Sequence, residues 1–120
     1  IALYDNRTKD FFLIRDRYGI KPLYYTINEN TLLFASETKA LLKYLKQKPQ
    51  IDLNAVLEYF TFQNIFTNRT FHSEVLILEP GHYLHFNLRS KSIQKFQYWD
   101  FNFVEPAIIL DEREYLEELD

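Results

Sequence analysis

Two helical stretches sit in the middle of a chain that otherwise follows the period of β-strands, and this order leaves few folds open. Ser36 reads as an N-cap, with Glu37 in the first turn, where the helix dipole favours a carboxylate. Leu41, Tyr44 and Leu45 then recur on one helical face, Lys43, Lys46 and Lys48 gather toward the end, and Pro49 forbids continuation. Asp52 reads as a second cap, and Leu53, Val56, Leu57 and Phe60 mark a second amphipathic helix of about three turns. Before the helices lie four strand-like runs, Ile1 to Tyr4, Phe11 to Arg15, Leu23 to Ile27 and Thr31 to Ala35. Turn clusters separate them, among them Asp5 to Asp10 and Asn28-Glu29-Asn30. After the helices come a loop over residues 63 to 74, the apolar run Val75 to Leu78, and two strands, Tyr83 to Leu88 and Ile93 to Trp99. Glu79-Pro80-Gly81 is a turn with Pro and Gly suited to the two central positions of a type II turn. Strands, two helices, then strands predicts an α+β fold with antiparallel sheets.

Composition fits that reading. Eleven Phe, nine Tyr and one Trp suit flat side chains packed on pleated sheet. At 120 residues, 47% hydrophobic and 26% charged, the chain has material for one core and is not of disordered type. A net charge of −3 weighs against a general nucleic-acid binder, which needs a basic field to meet phosphates. No apolar run reaches membrane-spanning length and no signal peptide opens the chain, so a cytoplasmic setting is expected, and the sequons at Asn6 and Asn68 are read as chance. The chain lacks methionine, opens inside a strand pattern and closes inside an acidic stretch, which predicts a segment of a longer protein.

A search for chemistry returns little. Cysteine is absent, so thiolate catalysis and disulfides are excluded within these residues. His82 and His85 are three apart in a strand and point to opposite faces, which argues against a shared metal site. Two glycines cannot build a phosphate loop, and none of the four serines lies in a nucleophile elbow. The carboxylate pairs, Asp5 with Asp10, Glu112 with Glu114 and Glu117 with Glu118, sit in no recognisable acid/base context, and the acidic run Asp111 to Asp120 reads as a solvated helix face. No catalytic residue, metal ligand or cofactor-binding residue is assigned. What stands out is the stretch from Arg15 to Tyr25, where two arginines, an aspartate and a glycine precede Pro22 and an aromatic run. By itself it is also readable as a turn shaped by Gly19 and Pro22.

The run "IRDRYGIKPLYY", followed by "LLFASETKALL", resembles the glutaminase domain of glutamine-dependent asparagine synthetases. The matching residues are Arg15, Asp16, Gly19, Ile20, Pro22, Leu23 and Tyr24, then Phe34, Ala35, Ser36, Glu37, Lys39, Ala40 and Leu41. "LNAVLEYFTFQ", "RTFHSEVLILEPGHYL" and "YWDF" are similar to later family segments, in the same order. The resemblance implies a class II glutamine amidotransferase with the N-terminal nucleophile hydrolase fold, a sandwich of two antiparallel sheets between helix layers. Residues 1–103 would be the second half of that domain, and 104–120 the connector and first helix of a synthetase domain. In the family an N-terminal cysteine attacks the glutamine amide, and ammonia passes through a tunnel to a domain that adenylates aspartate with ATP and Mg²⁺. The cysteine, the glutamine-binding segments and the ATP-binding Ser-Gly-Gly segment have no counterpart in these residues.

The resemblance further implies that Arg15, Asp16, Gly19, Pro22, Tyr24, Tyr25, Ser36, Glu37, Thr38 and Lys39 belong to the surface facing the synthetase domain and the start of the tunnel. Tyr25 and Thr38 match positions near the passage, and Arg15, Asp16 and Glu37 would orient the domains through paired charges. Partners are then the synthetase domain of the same chain, with glutamine and aspartate as the parent's substrates. Self-association is expected of half a sandwich with open edges. The competing expectations are an amidotransferase with an acceptor other than aspartate, and a stand-alone β-rich interaction module.

Overall fold

Local chemistry closes the first hairpin. Arg7 N donates to Asp5 Oδ1 at 2.8 Å, and Lys9 N to Asp5 O at 2.8 Å, with Lys9 in the left-handed region at φ 65°. The computed structural model describes residues 1–28, 31–45 and 47–103. The hairpin pairs β1 (Ala2–Asp5) with β2 (Asp10–Ile14), and β3 (Tyr24–Asn28) pairs with β4 (Thr31–Ala35). Two helices follow, α1 (Thr38–Leu42) and α2 (Leu53–Phe62). The chain then returns through β5 (Leu76–Ile77), β6 (His82–Asn87) and β7 (Ser92–Gln97). Among the described residues all pairings are antiparallel and make two sheets, ordered β1-β2-β6-β7 and β4-β3-β5. The α+β reading holds. The runs expected beyond Phe103, the connector and the acidic helix from Asp111, lie outside the described residues.

The sheets meet face to face. Leu13 stands opposite Leu84 in the β2–β6 ladder, and both turn toward Tyr25 of β3 and Leu78, forming the buried core. Phe11, Leu32, Leu76 and Ile93 pack around it, and the Phe11 and Phe34 rings, 5.4 Å apart, bridge the two sheets. Alternation along the strands puts Leu3, Phe12, Tyr83 and Phe96 on the other face of the first sheet. There the Tyr83 and Phe96 rings stack at 5.1 Å. Among the described residues no helix lies on that face, because α1 packs only on β3 and β4.

The helices depart from the sequence reading in two ways. Ser36 does not cap α1; Glu37 holds the N-cap position and makes no side-chain cap bond. Its carboxylate turns to Lys39 Nζ at 2.7 Å instead, and the helix is short, continuing only as three-residue turns to Tyr44 and Leu45. In α2 the cap is as expected, with Asp52 accepting from Asn54 N and Ala55 N. The apolar stripe is not the buried side: Leu53, Leu57 and Phe60 stand out, and Ala55 is the fully buried residue. The reason is the docking of α2 on the following loop. Arg69 Nη1 reaches Asp52 at 3.2 Å and the Tyr59 ring meets Phe71 edge-on, which turns the Ala55 side inward.

One polar cluster ties the two hairpins of the first sheet together. Asp10 Oδ1 accepts from Asn87 Nδ2 at 2.8 Å and lies 2.7 Å from His85 Nε2, whose ring stacks on Phe12. The His85 bond, then those from Thr8 and Asn87, hold the Asp10 carboxyl down to about 2. A folded pKa below the unfolded one means that the cluster stabilises the fold above the ordinary value of 3.8 and loses that effect as pH falls through about 2. Thermal unfolding measured from pH 5 downward is therefore expected to show a falling midpoint, and Asp10→Asn to flatten that fall. An unchanged slope in the variant would remove the cluster from the acid response.

Candidate functional site

The site is built around the segment that follows β2. Arg15 N donates to His82 O at 3.0 Å and so carries the β2–β6 ladder one step further. Its guanidinium then turns inward onto three backbone carbonyls: Nε to Lys21 O at 3.2 Å, Nη1 to Leu78 O at 2.6 Å and Nη2 to Gly19 O at 2.8 Å. Burial pulls the Arg15 pKa down, and Asp16, Tyr24 and Glu79 oppose that shift by their charge. The planar fork of an arginine serves several fixed acceptors at once, which a lysine cannot match. Asp16 organises the other half of the loop. Its Oδ1 accepts from Tyr18 N at 3.1 Å and Ile20 N at 3.2 Å, and its carbonyl accepts from Gly19 N and Gly81 N. These backbone bonds, that of Ile20 first, hold its carboxyl below the usual range.

Gly19 and Gly81 are both left-handed, at φ 64° and 65°. A Cβ on Gly19 would stand 2.7 Å from Pro80 Cγ, and one on Gly81 2.4 Å from Trp99 O. Gly81 O in turn accepts from Tyr98 N at 2.8 Å and Trp99 N at 3.2 Å, and Tyr98 Oη donates to Arg15 O at 2.7 Å. Three stretches of chain, 15–23, 78–82 and 98–99, are therefore knotted by hydrogen bonds. Together they present Tyr18 and Ile20 to solvent, 65% and 74% exposed. The Tyr18 ring lies edge-on to Trp99 at 5.3 Å and within 6.1 Å of Phe101, so the exposed ridge is continuous and aromatic.

The ten residues singled out in the sequence fall into three places. Arg15, Asp16 and Pro22 line a cavity of about 230 Å³, closed on one side by Tyr98, with Gly19 at its loop. Pro22, Tyr24, Ser36, Glu37, Thr38 and Lys39 line an open hollow of about 380 Å³ beside it. Tyr25 points the opposite way from its neighbour Tyr24, into the core between the sheets, where burial, with Glu79 adding its charge, pushes the phenol up. Arg15 and Asp16 direct their charge at backbone groups of their own loop, and Glu37 pairs with Lys39. Gly81, Tyr98 and Trp99 were not singled out. The Pro-Gly turn and the Tyr-Trp pair were the available signals, but nothing local says that they meet Arg15. Among the described residues, no three His, Cys, Asp or Glu side chains are grouped to hold a metal.

The class of domain to which these sheets and this loop belong is given by sequence comparison. Residues 1–99 match the glutamine amidotransferase domain family, and the chain belongs to it. Among its relatives is the putative asparagine synthetase [glutamine-hydrolyzing] 2 of Methanocaldococcus jannaschii, 32% identical over 119 residues, covering 98% of this chain and 23% of the relative. The asparagine synthetase [glutamine-hydrolyzing] 2 of Bacillus subtilis is 34% identical over 104 residues, covering 82% and 14%. The amidase chry2 of Gibberella zeae is 32% identical over 102 residues, covering 85% and 14%. The chain thus spans less than a quarter of the length of these relatives.

Proposed function

We propose that the chain is the scaffold and domain-facing part of a glutamine-hydrolysing asparagine synthetase, in which glutamine supplies the nitrogen that converts aspartate to asparagine at the expense of ATP. The two sheets would be the inner layers of an α-β-β-α sandwich of the N-terminal nucleophile hydrolase type. The nucleophilic thiol, the glutamine contacts and the ATP and Mg²⁺ of the synthetase part are assigned to no residue of this chain, and a cytoplasmic location goes with the reading. The observation that carries it is the ordered loop Arg15 to Pro22: the Arg15 and Asp16 side chains are committed to backbone groups, while it displays Tyr18 and Ile20 on that support. Such a loop is suited to hold a second domain in register, because a preformed surface loses little entropy on docking. The hollow lined by Pro22, Tyr24, Ser36, Glu37, Thr38 and Lys39 lies beside it and would flank the passage for ammonia. These residues would perform no chemical step; they would position the two centres and keep ammonia from solvent.

Tyr18→Ala with Ile20→Ala, and separately Asp16→Asn, in the intact protein test this. Glutamine hydrolysis is expected to persist while asparagine formation falls roughly tenfold, a loss of about 1.4 kcal/mol in coupling. A parallel fall of both rates would overturn the domain-facing role. The other expected reading, an acceptor other than aspartate, is not favoured by relatives named as asparagine synthetases. Assaying ammonia transfer with aspartate and with other carboxylic acids separates the two.

A further inference from the structure

Behind α1 lies a cavity of about 340 Å³ that shares Tyr24 and Thr38 with the hollow beside the loop but is otherwise lined by different residues. It is framed by the start of α1, the end of α2 and the loop from Asn64 to His72. We propose that this cavity binds a small carboxylic acid with a short apolar body. Arg69 is the anchor. Its Nη1 lies on Asp52, but that carboxylate is already shared with Asn54 N and Ala55 N at the start of α2. Only Nη1 makes that contact, and the Nε–Nη2 edge carries no bond to any described residue. That edge is the one that pairs two parallel N–H groups with a carboxylate.

Tyr24 and Thr38 bring hydroxyls to the same space, and neither is bonded among the described residues. Ile65, Ile77 and Phe71 supply an apolar wall for the hydrocarbon part. His72 also lines the cavity. The volume suits a molecule of several heavy atoms rather than a lone ion, and the mix of apolar wall with a few convergent polar groups is that of a small-ligand site. Thr70 is not free to take part, since its hydroxyl bridges His72 O and Val75 O at 3.0 and 2.8 Å and fixes the cavity floor.

The experiment is equilibrium dialysis of the 120-residue chain against radiolabelled butyrate, repeated over a range of protein concentrations. Saturable binding is expected, displaced by unlabelled butyrate and at least tenfold less well by the uncharged butyramide. Inorganic phosphate, which lacks the apolar body, is expected to compete poorly. Arg69→Gln should weaken binding at least tenfold. Tyr24→Phe, which leaves the Asp52 contact intact, should weaken it several-fold with unchanged circular dichroism. Absence of saturable binding, equal competition by butyramide or by phosphate, or unaltered binding in folded Tyr24→Phe together with folded Arg69→Gln would each overturn the proposal. None of these outcomes depends on glutamine hydrolysis.

Discussion

Gly81→Ala is expected to destabilise the chain by roughly 3 kcal/mol, the sum of a left-handed residue with a side chain at ~1–2 kcal/mol and displaced hydrogen bonds at ~1 kcal/mol each. The new methyl would fall 2.4 Å from Trp99 O, a backbone atom that cannot swing aside alone. Moving it breaks the bonds from Tyr98 N and Trp99 N to Gly81 O, and with them the approach of Tyr98 Oη to Arg15 O. Urea unfolding followed by circular dichroism reads the effect as a lower midpoint at unchanged slope. Gly81→Asn separates the two causes. Asparagine tolerates the left-handed region but carries the same Cβ. It should therefore be nearly as damaging as alanine; near-native stability of Gly81→Asn would show that contact with Trp99 is not the constraint.

Arg15→Met should cost roughly 2–3 kcal/mol, the range for losing charge-assisted hydrogen bonds that leave half-buried carbonyls unpaired. The estimate is kept at the low end because the guanidinium is partly open to solvent and screened. Met retains the aliphatic stem, so the loss isolates the bonds to Lys21 O, Leu78 O and Gly19 O. Leu78 belongs to the core, and the variant is therefore expected to loosen the join between loop and sandwich as well as the loop itself. Arg15→Lys should recover less than half of the loss, since one ammonium cannot span three carbonyls on different sides of the loop. A shift below ~0.5 kcal/mol for Arg15→Met, the scatter typical of surface substitutions, would make the guanidinium a surface group and not a fastener.

Residues 36–49 and 53–62 show how far a periodic pattern carries. The spacing of Leu53, Val56, Leu57 and Phe60 correctly predicts α2 and its Asp52 cap, because helix formation and capping are short-range events. The same spacing misjudges which side is buried. The contact of Arg69 with Asp52 and of Phe71 with Tyr59 turns Ala55 inward, and both partners come from a later loop that lacks any period of its own. Ser36 is a sound cap by residue type, yet the chain bends there and passes the position to Glu37, whose carboxylate is drawn to Lys39.

The site divides in the same way. Arg15, Asp16, Gly19 and Pro22 are conspicuous as a cluster because they are adjacent in the chain. Their partners Leu78, Gly81 and Tyr98 are not, since they arrive through the pairing of β2 with β6 and the return of β7. The cavity around Arg69 was invisible for the same cause: Tyr24, Thr38, Tyr59 and His72 share no spacing and meet only once the loop folds back over α1.

The order of strands and helices, the left-handed turn at Gly81, the cap of α2 and the membership of an amidotransferase family are legible along the chain, because all of them rest on near neighbours or on ordered motifs. It took distant contacts to settle that Arg15 fastens backbone, that Tyr25 rather than Tyr24 is the one buried in the core, and that the apolar stripe of α2 is left uncovered among the described residues. Those outcomes depend on which distant groups reach a side chain first, and hydrogen bonds and packing between segments far apart in the chain leave no periodic trace along it.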